Sequence, residues 1–170
     1  MKKGFSLIEL IVSIAIVAII TTMGVLSFSN QSQRQSLANE VNLLEQKLNE
    51  QKINALSGKM NNHQSSEMYG LKIEPSGKAY TLFFDNNADC NFNTGDEIDQ
   101  VINLTEGVEF QNFLNKIICF RWDQQGHNTC LAGGDCEQSG GYTFHLKSKK
   151  SEEIRYLVVD LESGLVTSGN

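Results

Sequence analysis

The sequence predicts an α+β protein: a long N-terminal helix packed on a C-terminal antiparallel β-sheet domain. Three observations carry this. Phe5 to Ile20 is almost continuously apolar, and Leu37, Val41, Leu44 and Leu48 then repeat at helical spacing. From Tyr69 onward the hydrophobic period changes to two. The mean hydropathy of -0.27 is therefore the sum of an apolar stem and a polar head. With 170 residues the chain has room for about one domain. A single proline among 170 residues excludes proline-rich and collagen-like readings, and one apolar segment allows at most one membrane pass. The net charge is -6 and the basic residues are dispersed, so no nucleic-acid footprint is present.

Four parts follow in order: a leader over 1–4, a transmembrane and assembly helix over 5–28, an amphipathic continuation of that helix over 29–57, and an exported β-rich domain over 58–170. Phe5 to Leu26 as a helix would cover about 33 Å, which matches a bilayer core of about 30 Å. Lys2 and Lys3 flank the start, and no further positive charge occurs until Arg34. That asymmetry places the N-terminus in the cytoplasm. An ordinary secretory signal peptide cut near Ser27-Phe28-Ser29 is the plain alternative. Against it stands Glu9, the one charged residue between Lys3 and Arg34. A carboxylate within an apolar segment is costly and is seldom kept without a partner.

Gly4-Phe5-Ser6-Leu7-Ile8-Glu9-Leu10 resembles the prepilin cleavage motif of type IV pilins and type II secretion pseudopilins. The resemblance implies that a prepilin peptidase cuts between Gly4 and Phe5 and methylates the new amino group of Phe5. It also implies that Glu9, then fifth in the mature chain, neutralises the N-terminal ammonium of a neighbouring subunit during assembly. The implied partners are the peptidase, other pilin or pseudopilin subunits and an inner-membrane assembly platform. The implied location is a single-pass cytoplasmic-membrane precursor that moves into a cell-surface or periplasmic filament. Loss of Met1 to Gly4 would leave 12 basic against 20 acidic side chains, a balance of -8. Many major pilins carry a helix-breaking proline where this chain has Leu26, and only Thr21, Thr22 and Gly24 are weak helix formers nearby.

Beyond the span, Glu40, Glu45, Lys47, Asn49 and Glu50 read as lying off the apolar stripe, and the helix is expected to end before Gly58. Lys59 to Glu67 reads as a polar loop. Tyr69 to Ile73 and Ala79 to Phe84 flank the turn Pro75-Ser76-Gly77 as a hairpin. Further strands are expected at Ile98 to Leu104, Val108 to Phe113, Lys116 to Trp122, Tyr142 to Leu146, Ile154 to Asp160 and Leu165 to Thr167. The short connections imply antiparallel pairing. The segment Tyr156 to Val166 is similar to the H-type pseudopilin and T-type minor pilin branch, which implies a minor subunit.

All four cysteines fall in the exported part, where disulfides form. Cys130 and Cys136 enclose a short flexible loop and are the first expected pair, and Cys90 with Cys119 follows. Zinc would call for paired Cys-x-x-Cys units, which the spacing lacks. Asp85, Asn87, Asp89, Asn91, Asn93 and Asp96 occupy alternate and twelfth places of a loop with calcium-site spacing, similar to EF-hand and dockerin loops. Cys90 stands where that pattern wants glycine, and Asp96 where it wants glutamate. Seven acids and no Lys or Arg lie between Asp85 and Glu109. A solvated acidic loop of Asx turns is the second reading.

No nucleophile elbow, phosphate loop or His-Glu-x-x-His pattern is present, and His63, His127 and His145 are scattered. A non-enzymatic structural subunit of a pilus or secretion filament is the expected function. A membrane-tethered calcium-binding β-domain that never assembles is the alternative.

Overall fold

The computed structural model describes residues 6–57, 60–61, 64–65, 68–123, 126–131, 140–161 and 163–169. One helix, α1 (Leu7–Ser57), runs unbroken through both expected halves of the stem, about 75 Å at 1.5 Å per residue. Thr21, Thr22 and Gly24 do not interrupt it. The hydroxyls of its apolar half return to carbonyls one turn back, Ser13 to Glu9 O at 2.7 Å and Thr21 to Val17 O at 2.7 Å, so that face shows few open polar groups. Leu7 to Ile20 present exposed apolar side chains over about 20 Å of helix, against about 30 Å for a bilayer core. Among the described residues no helix is long and apolar enough to cross a membrane. The expected span from Phe5 to Leu26 extends at both ends past the side chains described, since those of residues 23–30 are not.

The second half of α1 buries its stripe as expected: Leu37, Val41, Leu44, Leu48 and Ala55 are all buried. Two polar residues share this face. Gln51 fills the gap between Leu48 and Ala55, and Glu40, expected on the solvent side, is 7% exposed. Position 40 lies one turn before Leu44, so it flanks the stripe and turns inward where a loop can bond it. Glu40 accepts hydrogen bonds from the Thr105 amide at 2.9 Å and from the Thr105 hydroxyl.

The strands form a two-stranded hairpin, β1 (Met60–Asn61) with β2 (Gln64–Ser65), and two larger antiparallel sheets. The first has the order β5 (Glu97–Asn103), β4 (Ala79–Asp85), β3 (Met68–Ile73), β7 (Ile117–Asp123), β8 (Gly126–Leu131). The second has the order β11 (Val166–Gly169), β10 (Ile154–Asp160), β9 (Gly141–Ser148), β6 (Val108–Phe110). α1 touches β3 and β7 of the first sheet and β6, β9, β10 and β11 of the second, so its stripe is shared by both. Strand β8 and the β1–β2 hairpin were not expected, because Gly126-His-Asn-Thr-Cys-Leu has no apolar alternation and Met60 is the one apolar residue of the 59–67 segment. β6 ends three residues earlier than expected, since Phe113 and Asn115 adopt φ of +58° and leave the extended region. The Asn112 side chain takes up the ladder there, donating to Thr143 O at 2.7 Å and accepting from His145 N at 2.8 Å.

β4 is buried along its whole length because the first sheet is covered on both faces. Inward, Tyr69, Leu71, Tyr80, Leu82 and Phe84 join the stripe of α1 in the main core. Outward, Met68, Phe83, Ile117, Cys90 and Cys119 form a second core, on which Phe92 packs. Gly70 faces Phe83 across the β3–β4 ladder, and a Cβ there would sit 2.2 Å from the Phe83 ring. The ring lies against bare backbone. Gly70→Ala therefore costs about 2 kcal/mol through overpacking, to be read from urea denaturation.

Candidate functional site

Two places in the described structure hold the residues singled out by the sequence: the start of α1 and the loop between β4 and β5. Gly4 and Phe5 lie outside the described residues. Glu9 sits in the first turn of α1. Its Oε2 accepts from the Ser6 amide at 3.1 Å and from the Ser6 hydroxyl at 3.2 Å, while the Glu9 amide donates to Ser6 Oγ at 3.3 Å. This is a reciprocal capping box, with Ser6 as the cap and Glu9 three residues on. It satisfies amides that the helix leaves open and sets a carboxylate at the positive end of the helix dipole. Glu9 thus has partners within its own chain. The Ser-x-x-Glu spacing was present in the sequence, but the cleavage motif drew attention to Glu9 alone.

In the β4–β5 loop, Asp85 is fully buried and accepts from the Cys90 amide at 2.7 Å. Asp89 accepts from the Asn91 amide at 2.8 Å and from Asn87 Nδ2 at 2.9 Å. Asp96 accepts from the Asn93 amide at 2.7 Å and the Asn86 amide at 3.2 Å, and Asn93 Oδ1 accepts from the Gly95 amide at 2.9 Å. The six candidate ligands are brought into one loop, in which oxygens of Asp85, Asp89, Asn93 and Asp96 accept from the loop's own amides. In this arrangement these bonds form a run of Asx turns. Among the described residues no group of three or more His, Cys, Asp or Glu side chains could hold a metal ion.

Cys90, at the place where the calcium pattern wants glycine, does adopt a left-handed backbone, with φ of +53°, and Ala88 has φ of +56°. A disulfide between Cys90 and Cys119 of β7 holds that turn against the sheet. The other expected pair, Cys130 with Cys136, lies outside what is described, since only the backbone of Cys130 is placed. Lys72 lies over the Phe92 ring at 4.8 Å and adds a cation–π contact to the same cover.

Burial is the main cause that raises the Asp85 carboxyl above its ordinary value of 3.8, and the charges of Asp96 and Asp89 add to it. The amides of Cys90 and Ala88 oppose the shift. Tyr80 is also raised, first by burial and then by the charge of Glu40. Neither the Tyr80 hydroxyl nor Glu40 Oε2 has a hydrogen-bond partner among the described residues.

Two outcomes follow. Ser6→Ala removes the acceptor of the Glu9 amide, costs about 1 kcal/mol locally, and raises hydrogen exchange at that amide roughly fivefold. For Asp85, a folded pKa above the unfolded value means that its stabilising contribution is complete below about pH 3.8 and is lost as pH rises through the folded value. Asp85→Asn keeps an acceptor for the Cys90 amide and loses that pH dependence, so at pH 7 its urea midpoint equals or exceeds that of the parent. Asp85→Ala leaves the buried amide without its acceptor and costs about 1 to 3 kcal/mol at the same pH.

Residues 1–25 match the family described as the prokaryotic N-terminal methylation motif. No curated protein and no solved structure matches the chain. The matched segment takes in the Gly4-Phe5 junction, the capping pair Ser6 and Glu9, and the exposed apolar side chains of α1 up to Ile20. The chain carries, in its first 25 residues, the signature of the type IV pilins and pseudopilins.

Proposed function

We propose that this protein is a minor pilin or pseudopilin, a structural subunit of a type IV pilus or type II secretion-like filament. The observation that carries this reading is the junction of the methylation motif with one continuous helix whose two halves differ in exposure. From Leu7 to Ile20 the apolar side chains face outward, whereas Leu37, Val41, Leu44, Leu48 and Ala55 are buried by the head. An exposed apolar surface of that length needs lipid or other helices around it. The precursor waits in the cytoplasmic membrane with its N-terminus inside. Prepilin peptidase cuts after Gly4 and methylates Phe5, and the stem passes from lipid into a bundle of like stems with the head outward.

Glu9 then exchanges the bonds it makes with Ser6 for the ammonium of a neighbouring Phe5. Opposite charges in low dielectric attract strongly enough to offset part of their desolvation, and the pairing sets axial register. A tethered ion-binding head has less behind it, because the acidic loop bonds to its own backbone. Coexpression with a prepilin peptidase tests the reading by intact mass: the product loses Met1 to Gly4 and gains one methyl group. Glu9→Ala is cut to the same extent but fails to enter filaments sheared from the cells. A chain that keeps its leader, or a Glu9→Ala subunit that assembles normally, overturns it.

A further inference from the structure

A cavity of about 600 Å³ lies where the stem enters the head. Its wall is Gln33 of α1 together with three chain turns: Lys78 between β3 and β4, Thr105 to Gly107 ahead of β6, and Lys149 with Lys150 between β9 and β10. The turns are tied to one another, since the Leu104 amide donates to Lys78 O at 2.8 Å and the Lys149 amide to Gly107 O at 2.8 Å. They are also tied to the stem, because Glu153, just before β10, pairs with Arg34 at 3.3 Å.

Lys78, Lys149 and Lys150 are all exposed at this cavity. Glu109 pairs with Lys149 at 2.8 Å, and its carboxyl is held below its ordinary value by Lys149 first and by Lys78 as well. Lys78 and Lys150 have no ion-pair partner among the described residues, and Glu106 is the other acid on the wall. The rest of the head is sorted the opposite way. β4 carries the chain about 20 Å from the Lys78 turn to Asp85, so Asp85, Asp89, Asp96 and Glu97 gather at the far end. In a chain of net charge -6, the cavity lysines thus mark the end beside the stem's apolar half.

Depth along the stem says what that end meets. Phe28 is the last apolar residue before Leu37, and Gln33 follows it five residues later, about 8 Å along the helix. The headgroup layer is about 5 to 8 Å deep on each side of a hydrocarbon core. With the apolar half of the stem in a bilayer, Gln33 and the turns around it lie level with lipid phosphates. Leu114 fits the same boundary: it is 43% exposed, and a Cβ on Gly77, next to Lys78, would sit 3.0 Å from its Cδ2. An apolar side chain beside lysines suits the border between headgroups and acyl chains.

We infer that this cavity takes the phosphate of an anionic phospholipid headgroup, in the leaflet away from the cytoplasm, with Lys78 and Lys150 as its charge partners. The site rests on the membrane-anchored precursor of the filament reading and adds a lipid contact made by the head. An anionic headgroup carries a phosphate with no cation of its own, which is what two unpaired lysines attract. The contact seats the head on the bilayer surface until the stem is drawn into a filament.

The test places the full chain in vesicles of phosphatidylcholine alone and in vesicles containing one-third phosphatidylglycerol. Flotation checks insertion, and mass spectrometry follows the acetylation of each lysine by a dilute water-soluble reagent. With phosphatidylglycerol, acetylation of Lys78 and Lys150 slows roughly fivefold, while Lys52, near the other end of the buried stripe, keeps its rate. Lys78→Gln returns Lys150 toward its rate in phosphatidylcholine. A chain that floats with both kinds of vesicle and shows equal rates at Lys78 and Lys150 in each overturns the lipid site and leaves the filament reading standing. Equal slowing at Lys52 marks a general effect of surface charge and overturns the site too. The same slowing in phosphatidylcholine vesicles given millimolar inorganic phosphate assigns the cavity to free phosphate and overturns the lipid assignment. A chain that floats with neither kind of vesicle overturns the membrane stem, and the filament reading with it.

Discussion

The stripe Leu37, Val41, Leu44 and Leu48 is the contact on which the rest of the head depends. Each leucine there is fully buried, at about 2 kcal/mol per side chain relative to an exposed one, and the two sheets meet on this one ridge. Without the helix, the first sheet would lose the cover of Tyr69, Leu71, Tyr80 and Leu82, and the second that of Leu146, Leu157 and Val159. The head is thus built around the stem rather than hung from it. Glu40 and Gln51 occupy the same buried face without all their hydrogen bonds, and an unsatisfied buried group costs about 1 to 3 kcal/mol. Their position next to Thr105 and between Leu48 and Ala55 fits a part in fixing the helix's register against the sheets, since a carboxylate bonded to one loop amide tolerates no slippage.

The acidic loop is the second cover. Concentrated like charge would swing such a loop into solvent, and three features oppose this: the Cys90–Cys119 bridge, the seating of Phe92 on Phe83, and the buried Asp85 bonded to the Cys90 amide. The left-handed conformations of Ala88 and Cys90 cost on the order of 1 kcal/mol each, and the disulfide holds them in place. What resembled an ion cage in spacing works here as a lid on the outer face of the first sheet.

Exposure divides the molecule by task. Where apolar side chains are buried, in the head, they hold the fold. The outward apolar row from Leu7 to Ile20 is left uncovered by the head. The capping box at its start gives Glu9 partners within the chain, which lowers the cost of keeping a carboxylate beside exposed apolar side chains.

Much of this was legible in the sequence. The α+β class, the unbroken stem, the buried stripe and the β3–β4 hairpin follow from local periodicity, which one chain segment carries by itself. The methylation motif is likewise contiguous, and it was readable at sight. Tertiary structure decided what depends on residues far apart in the chain. It turned Glu40 inward because Thr105, 65 positions away, offers an amide there. The polar segment Gly126–Leu131 became a strand because β7 lies beside it to pair with. Only in three dimensions do the oxygens of Asp89 and Asp96 face their own loop's amides rather than one another, since spacing along a chain fixes which residues are near but not where their side chains point.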